Sequence, residues 1–444
     1  MRIENEIHRT GARGTGSWLE AVAELLPGCL GPNAYPLRFS IVSVEGDEAI
    51  VEATVVRYED SDRHAASFRQ IEILTPRRKA FSARPFAVVQ VVPTGVRCEF
   101  GGYAGDACPV TNLLACAADH VITHPNAVNA SELNEMAANV FYVEGKSLDD
   151  FLLGHVGLLP VAANRVGTII DPTGLDYLDD VLNTLHAALA TRGADCGLYT
   201  VLEEELGVHI EWSANGCAVG TIQRPEAALD AAEALVAEGA QAIGGVSVIH
   251  GVTAEMFARH MRGEIPNPSG GVEAIITHLV SKVYRVPSAH APLPYYQAVK
   301  ERTTGNPRAS AEFISTPHYF SVLKGLSKAP RPVPLDRPGG VPSQLVTLNN
   351  VGAAVMPASC LGGVPALAAE FSGIPLIAVR ENTTVLDVTN RKMRMPNVVE
   401  VNTYLEAAGV VLALREGIAI ESLRRPLHGA RRVTLRELEQ RAAD

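Results

Sequence analysis

Two groups of residues open the case for chemistry on a small anion. The run Gly101-Gly102-Tyr103-Ala104-Gly105-Asp106 lies between an apolar strand-like stretch and an apolar helical one. Glycines at such a junction let backbone N–H groups approach a phosphate or carboxylate, which the positive end of a helix favours. Gly102 and Gly105 are the expected contacts, and Asp106 is a candidate acid–base group. The run lacks the Gly-Lys-Ser/Thr ending of a P-loop and the spacing of the dinucleotide fingerprint; its plain alternative is a tight turn needed for packing. The second group is His124, Asn126 and Asn129, with Ser131, Glu132 and Asn134, just past the apolar Val121-Ile122-Thr123. Ligands of open α/β sheets bind off such strand ends. His124 titrates near neutrality and is the best single acid–base candidate. Asn126 and Asn129 would orient a carboxylate or carbonyl, although Asn and Ser also serve turns and caps.

Two further groups come late in the chain. Ser359-Cys360-Leu361-Gly362-Gly363 forms a strand-to-helix turn, where a helix start can lower the pKa of the Cys360 thiol. Ser359, Gly362 and Gly363 could bind an anion through their backbone. Cys108 holds a comparable place after the first glycine turn; two facing thiols would resemble the arrangement of the aspartate/glutamate racemase superfamily, in topology only. Arg380, Glu381, Asn382 and Thr384, with Thr383 and Asp387, directly follow a buried strand. Arg380 suits a bidentate carboxylate clamp and Glu381 an acid–base role, against a surface loop with a satisfied ion pair. Weaker candidates are His250, Asn267 with Ser269-Gly270-Gly271 and Glu273, Asn349-Asn350, and Thr316 with His318. His318 is assigned to substrate binding, on a lid. No helix carries His-x-x-x-His or His-Glu-x-x-His, so no metal and no organic cofactor is expected.

The elements that must position these residues read as α/β. Residues 1–80 form a small α+β unit: a helix from Trp18 to Leu26 stopping near Pro27-Gly28, a hairpin of Phe39–Val44 with Ala49–Val56, and a third strand at Phe68–Leu74. Residues 77–84 read as a linker. From residue 86 onward strand–turn–helix units repeat, as in a Rossmann-like fold of mostly parallel sheets. Two lobes are expected, 86–160 with 340–444 and 165–285, and 287–342 is expected to be a long irregular segment. A helix is expected from Ser131 through Ala138.

The runs Gly101–Asp106, Thr111-Asn112-Leu113-Leu114, Thr123–Ser131, Pro357–Gly363 and Arg380–Val388 resemble a bacterial family catalogued as domain of unknown function 3326. The resemblance covers roughly residues 86–417 and leaves the first 80 outside. It implies no catalytic roles.

Composition narrows the classes. The chain has 444 residues, net charge −11, 47% hydrophobic and 20% charged residues. A negative surface disfavours nucleic acid. The polar N-terminus is unlike a signal peptide, and no run of 18 apolar residues predicts a membrane span. Seven cysteines at irregular spacing fit reduced thiols in cytoplasm. The apolar fraction allows a homo-oligomer. Three readings stay open: a lyase or isomerase acting on a small carboxylate or phosphate by acid–base or thiol chemistry, a nucleotide or nucleotide-sugar dependent transferase, and a non-catalytic metabolite-binding protein.

Overall fold

The computed structural model describes residues 1–11, 16–69, 85–102, 106–128, 133, 135–293, 318–336 and 342–430. Three strands open the chain: β1 (Arg2–Thr10), β2 (Ala34–Glu45) and β3 (Glu48–Arg57), joined as an antiparallel sheet in the order β1-β3-β2. The hairpin falls where the sequence places it. The polar N-terminus is itself a strand, an edge whose half-buried residues hide the alternation. The first helix runs past its expected stop, from Trp18 to Leu30 with Pro27 inside. Ser17 and Glu20 make a capping box at its start, and Gly31 at φ +72° ends it. Ala65–Phe68 is a 3₁₀ turn; residues 70–84, which hold most of the expected third strand and all of the proposed linker, lie outside the described residues.

Two parallel sheets follow. The chain continues through β4 (Ala87–Gln90), β5 (His120–Thr123), β6 (Val140–Tyr142), β7 (Val156–Leu159), β8 (Val166–Ile170) and β9 (Leu198–Val201). Next come the hairpin β10 (Val208–Trp212) with β11 (Ala218–Ile222), then β12 (Ala242–Ser247), β13 (Ser288–Pro292) and β14 (Arg331–Pro334). The last strands are β15 (Val351–Pro357), β16 (Leu376–Val379) and β17 (Val398–Val401). One sheet has six parallel strands in the order β17-β16-β15-β4-β5-β6, and the other has four in the order β13-β12-β8-β9. The interior strands are apolar and buried, as a parallel sheet covered on both faces requires. In the six-stranded sheet the chain runs outward from β4 and, on returning, outward again from β15, so the order reverses between them. That reversal opens a crevice at the carboxyl ends of β4 and β15.

The segment 287–342 is not wholly irregular. It contains β13, the helix His318–Leu326 and β14, which pairs antiparallel with β7. Proline and short element length masked them. Of the helix expected at Ser131–Ala138, residues 135–138 are not helical and Ser131, Glu132 and Asn134 lie outside the described residues; a single turn, Pro125–Val128, stands earlier.

The N-terminal unit docks against both sheets' surroundings. Ile41 N–H donates to the Gly362 carbonyl at 2.8 Å, and the Trp18 indole N–H donates to the Met393 carbonyl at 2.7 Å. Asn5 Nδ2 donates to the Gly220 carbonyl at 3.1 Å. A Cβ on Gly362 would stand 1.9 Å from the Ile41 backbone oxygen, whereas one on Gly363 would meet nothing nearer than 3.6 Å. Gly362→Ala is therefore expected to lower stability by about 1–3 kcal/mol, with Gly363→Ala much milder. Urea denaturation of the pair checks this, and equal losses would refute the docking argument.

Candidate functional site

A cavity of about 110 Å³ lies where the carboxyl ends of the six-stranded sheet meet β13. Thr94 follows β4, His124 follows β5, Glu144 follows β6, and His290 stands within β13. Two helices begin at its wall, Gly145–Leu152 and Gly270–Tyr284. The second brings Glu273, Thr277 and His278 to it. Asn126, Asn267, Gly102 and His318 complete the polar lining.

Glu144 and His278 form a buried pair. His278 Nδ1 lies against Glu144 Oε1, which also accepts from the Thr277 hydroxyl at 3.1 Å. Glu144 Oε2 accepts the Ser147 N–H at 3.1 Å, capping the Gly145–Leu152 helix. Burial alone would push this carboxyl up; the His278 charge and hydrogen bond, with the Lys146 and Ser147 N–H groups, outweigh it and hold it below its ordinary value. A Cβ on Gly145 would fall 2.7 Å from His278 Cε1, so glycine lets the ring lie on the backbone. Among the described residues, His278 Nε2 carries no protein hydrogen bond.

His124 has the opposite character. Its Nε2 accepts the Val92 N–H at 2.9 Å, which places the proton on Nδ1. Burial, with His278 nearby, depresses its pKa to about 4 despite the attraction of Glu144. At neutral pH it is a neutral imidazole able to donate from Nδ1. A third arrangement joins Ser247 Oγ to His290 Nε2 at 2.9 Å and His290 Nδ1 to Glu273 Oε2 at 3.4 Å. Both His290 nitrogens are thereby engaged, while Glu273 Oε1 carries no protein hydrogen bond among the described residues.

A second cavity of about 130 Å³ adjoins the first. The two share Thr94, His124, Gly145, Ala274 and His278. The second reaches the crevice between β4 and β15 through Pro93, Met356, Cys360 and Gly363, and Arg38, Phe39 and Ser40 of β2 also line it. Asp149 lines it as well. Burial pushes the Asp149 carboxyl up to about 8, although Lys146 pulls it down. Lys146 itself pairs with Asp150.

Of the residues singled out in the sequence, His124, Asn126, Gly102 and His318 line the first cavity, and Cys360 and Gly363 line the second. Asn126 donates to the Val92 carbonyl at 2.9 Å, and the Gly102 N–H donates to the Asn126 carbonyl at 2.6 Å, so both brace the strand end. Asp106 accepts the Cys108 N–H at 2.6 Å as a cap. Burial and Asp106 push the Cys108 thiol up to about 11, and burial raises Cys360 far above its ordinary value, so both thiols are protonated at neutral pH.

The group at 380–384 serves structure. Arg380 is exposed and pairs with Glu400 at 2.6 Å, and Glu381 accepts the Tyr404 N–H at 2.7 Å. Asn382 is buried and brackets Phe100 and the Tyr404 hydroxyl. Thr384 bonds Ser359 Oγ at 2.8 Å. Gly105 and Asn129 lie outside the described residues, as do Ser131 and Thr316. Glu144, His278, His290 and Arg38 were not singled out.

Among the described residues, the ligand atoms of His64, Asp230 and Glu233 also come within 4.8 Å of one another, away from these cavities. Arg63 already pairs with both carboxylates, at 2.9 and 2.5 Å.

The comparisons agree with the family resemblance. A family described as "Protein of unknown function (DUF3326)" matches residues 87–424. An uncharacterized lipoprotein of a Synechococcus strain is 34% identical over 341 residues, covering 76% of this chain and 92% of that protein. No solved structure matches. No helix among the described residues is long and apolar enough to cross a membrane. With more than half its length matched, all of it beyond the N-terminal unit, the chain belongs to the DUF3326 family.

Proposed function

We propose that the protein is an enzyme of the lyase or isomerase type that moves a proton on a small carboxylate- or phosphate-bearing metabolite. The observation that carries this reading is the convergence of Glu273, the Glu144–His278 pair and the His124 N–H donor on one small cavity. A carboxylate oxygen free of protein partners suits the removal of a proton. An imidazole held by a buried carboxylate suits its return. A neutral imidazole donating from Nδ1 suits the substrate oxygen on which charge develops. The start of the Gly270–Tyr284 helix at the cavity wall, which carries no side-chain cap, favours an anionic ligand. The buried, protonated thiols support acid–base over thiol chemistry. The nucleotide-dependent transferase has less support, since Glu381, its expected ribose contact, caps a helix instead. Seven free cysteines favour a reducing compartment such as the cytoplasm.

Solvent deuterium tests the reading. The protein in D₂O, mixed with a panel of small 2-hydroxy, 2-amino and 2-oxo acids, is expected to exchange a carbon-bound proton of at least one member, followed by NMR. Glu273→Gln and His278→Gln should each slow that exchange by about 10²-fold or more. No exchange with any member, or equal exchange in both variants, would remove the proposal.

A further inference from the structure

We propose that Arg38, supplied by the N-terminal unit, binds a second anionic group of the ligand, making the preferred ligand a dianion such as a dicarboxylate or a phosphorylated carboxylic acid. This deepens the acid–base reading above and rests on it. Arg38 lies on β2 and is half-buried, and it lines the second cavity together with the shared residues His124 and His278. Among the described residues lining the two joined cavities, Arg38 bears the one permanent positive charge. Unlike Arg57, Arg63 and Arg380, it makes no ion pair or hydrogen bond among the described residues.

A partly desolvated guanidinium without a partner is costly, and a planar carboxylate or phosphate satisfies it with two parallel hydrogen bonds. Two acids stand in its neighbourhood, Asp149 and Glu52. Neither reaches it as an ion pair. Burial keeps Asp149 protonated at neutral pH, and Glu52 is a buried residue of β3 with one carboxylate oxygen unbonded. The charge of Arg38 is thus directed at the cavity. A ligand spanning the two cavities would place its reacting carbon among Glu273, His278 and His124, and its distal anion on Arg38. Since β2 precedes the family-matched residues, ligand choice would come from outside the shared domain.

Succinate, butyrate and inorganic phosphate are the probes, with binding read from thermal shifts of wild type, Arg38→Gln and Arg38→Lys. Succinate and phosphate should stabilise the wild type, and Arg38→Gln should weaken both at least tenfold while leaving any butyrate response unchanged. Phenylglyoxal labelling of the wild type, mapped by mass spectrometry, should modify Arg38 and be blocked by succinate, which needs no variant to fold. Arg38→Gln within twofold of wild type, no dianion shift in the wild type, or no protection of Arg38 would each overturn the inference. The acid–base reading fails separately, through the deuterium exchange of the Glu273 and His278 variants, in which Arg38 is intact.

Discussion

Glu144→Ala is expected to lower the unfolding free energy by about 3–5 kcal/mol at pH 7, because it strips one partner from a buried, charge-assisted pair. The carboxylate is 2% exposed and receives Ser147 N–H, the Thr277 hydroxyl and His278 Nδ1. Its removal leaves the Ser147 N–H and His278 Nδ1 without that acceptor, while the Thr277 hydroxyl keeps the Ala274 carbonyl at 3.1 Å, and it uncaps the helix that starts at Gly145; the cap alone accounts for about 1 kcal/mol. Glu144→Gln keeps the shape and one acceptor and should recover part of the loss. The sign with pH follows from the lowered carboxyl. A group whose pKa falls on folding stabilises above its unfolded value, here 4.5, and that contribution disappears as pH drops through the folded value. Urea denaturation at pH 7 and pH 3 should therefore show a large loss at the first and a smaller one at the second. A loss below 1 kcal/mol at pH 7 would mean that the pair does not hold the cavity together.

The same pair shows why only part of the site was legible. Residues immediately after a buried strand are exposed to the crevice by geometry, so His124 and Asn126 could be placed from pattern alone. His278 lies among Ile275, Ile276 and Leu279 on a buried helix and reads as core. Its convergence with Glu144 joins residues 134 positions apart, which local periodicity does not encode. The signal that was present is the polar doublet Thr277-His278 on an apolar helix face, which demands a buried partner. Asn267 and Glu273 were visible only as helix-start residues.

Gly362 was read as a ligand contact but is taken up by packing, for one physical reason. Ser359–Gly363 looks like an open anion nest until Ile41 covers it with a backbone hydrogen bond and leaves no room for a Cβ at Gly362. The covering element is the N-terminal unit, whose hairpin was legible but whose docking was not. The parallel strand–turn–helix units expected from residue 86 onward were legible because their strands and helices, such as Val166–Ile170, Val364–Phe371 and Tyr404–Arg415, are mostly apolar. The elements missed, such as β13 and β14, are short and contain proline.

Asp149→Asn is expected to make the protein more stable than wild type at pH 9 while leaving it nearly unchanged at pH 4. Burial is the main cause, and Asp150 and Glu144 add to it, while Lys146 and Arg38 oppose it; together they raise the carboxyl to about 8. A carboxyl raised on folding binds more protons in the native state than in the unfolded chain between its two pKa values. Its contribution is thus fully present below the unfolded value of 3.8 and is lost as pH rises toward 8, with a slope approaching about 1.4 kcal/mol per pH unit. Asparagine does not titrate and removes that slope. Urea denaturation of both proteins at pH 4, 6, 8 and 9 should show their difference growing until about pH 8 and then levelling; a difference independent of pH would contradict a protonated Asp149. The consequence reaches the ligand. Above pH 8 Asp149 becomes a carboxylate in the cavity that Arg38 walls, and it competes with the ligand for that guanidinium. Succinate should then bind more weakly to the wild type as pH rises from 7 to 9, and with unchanged affinity to Asp149→Asn.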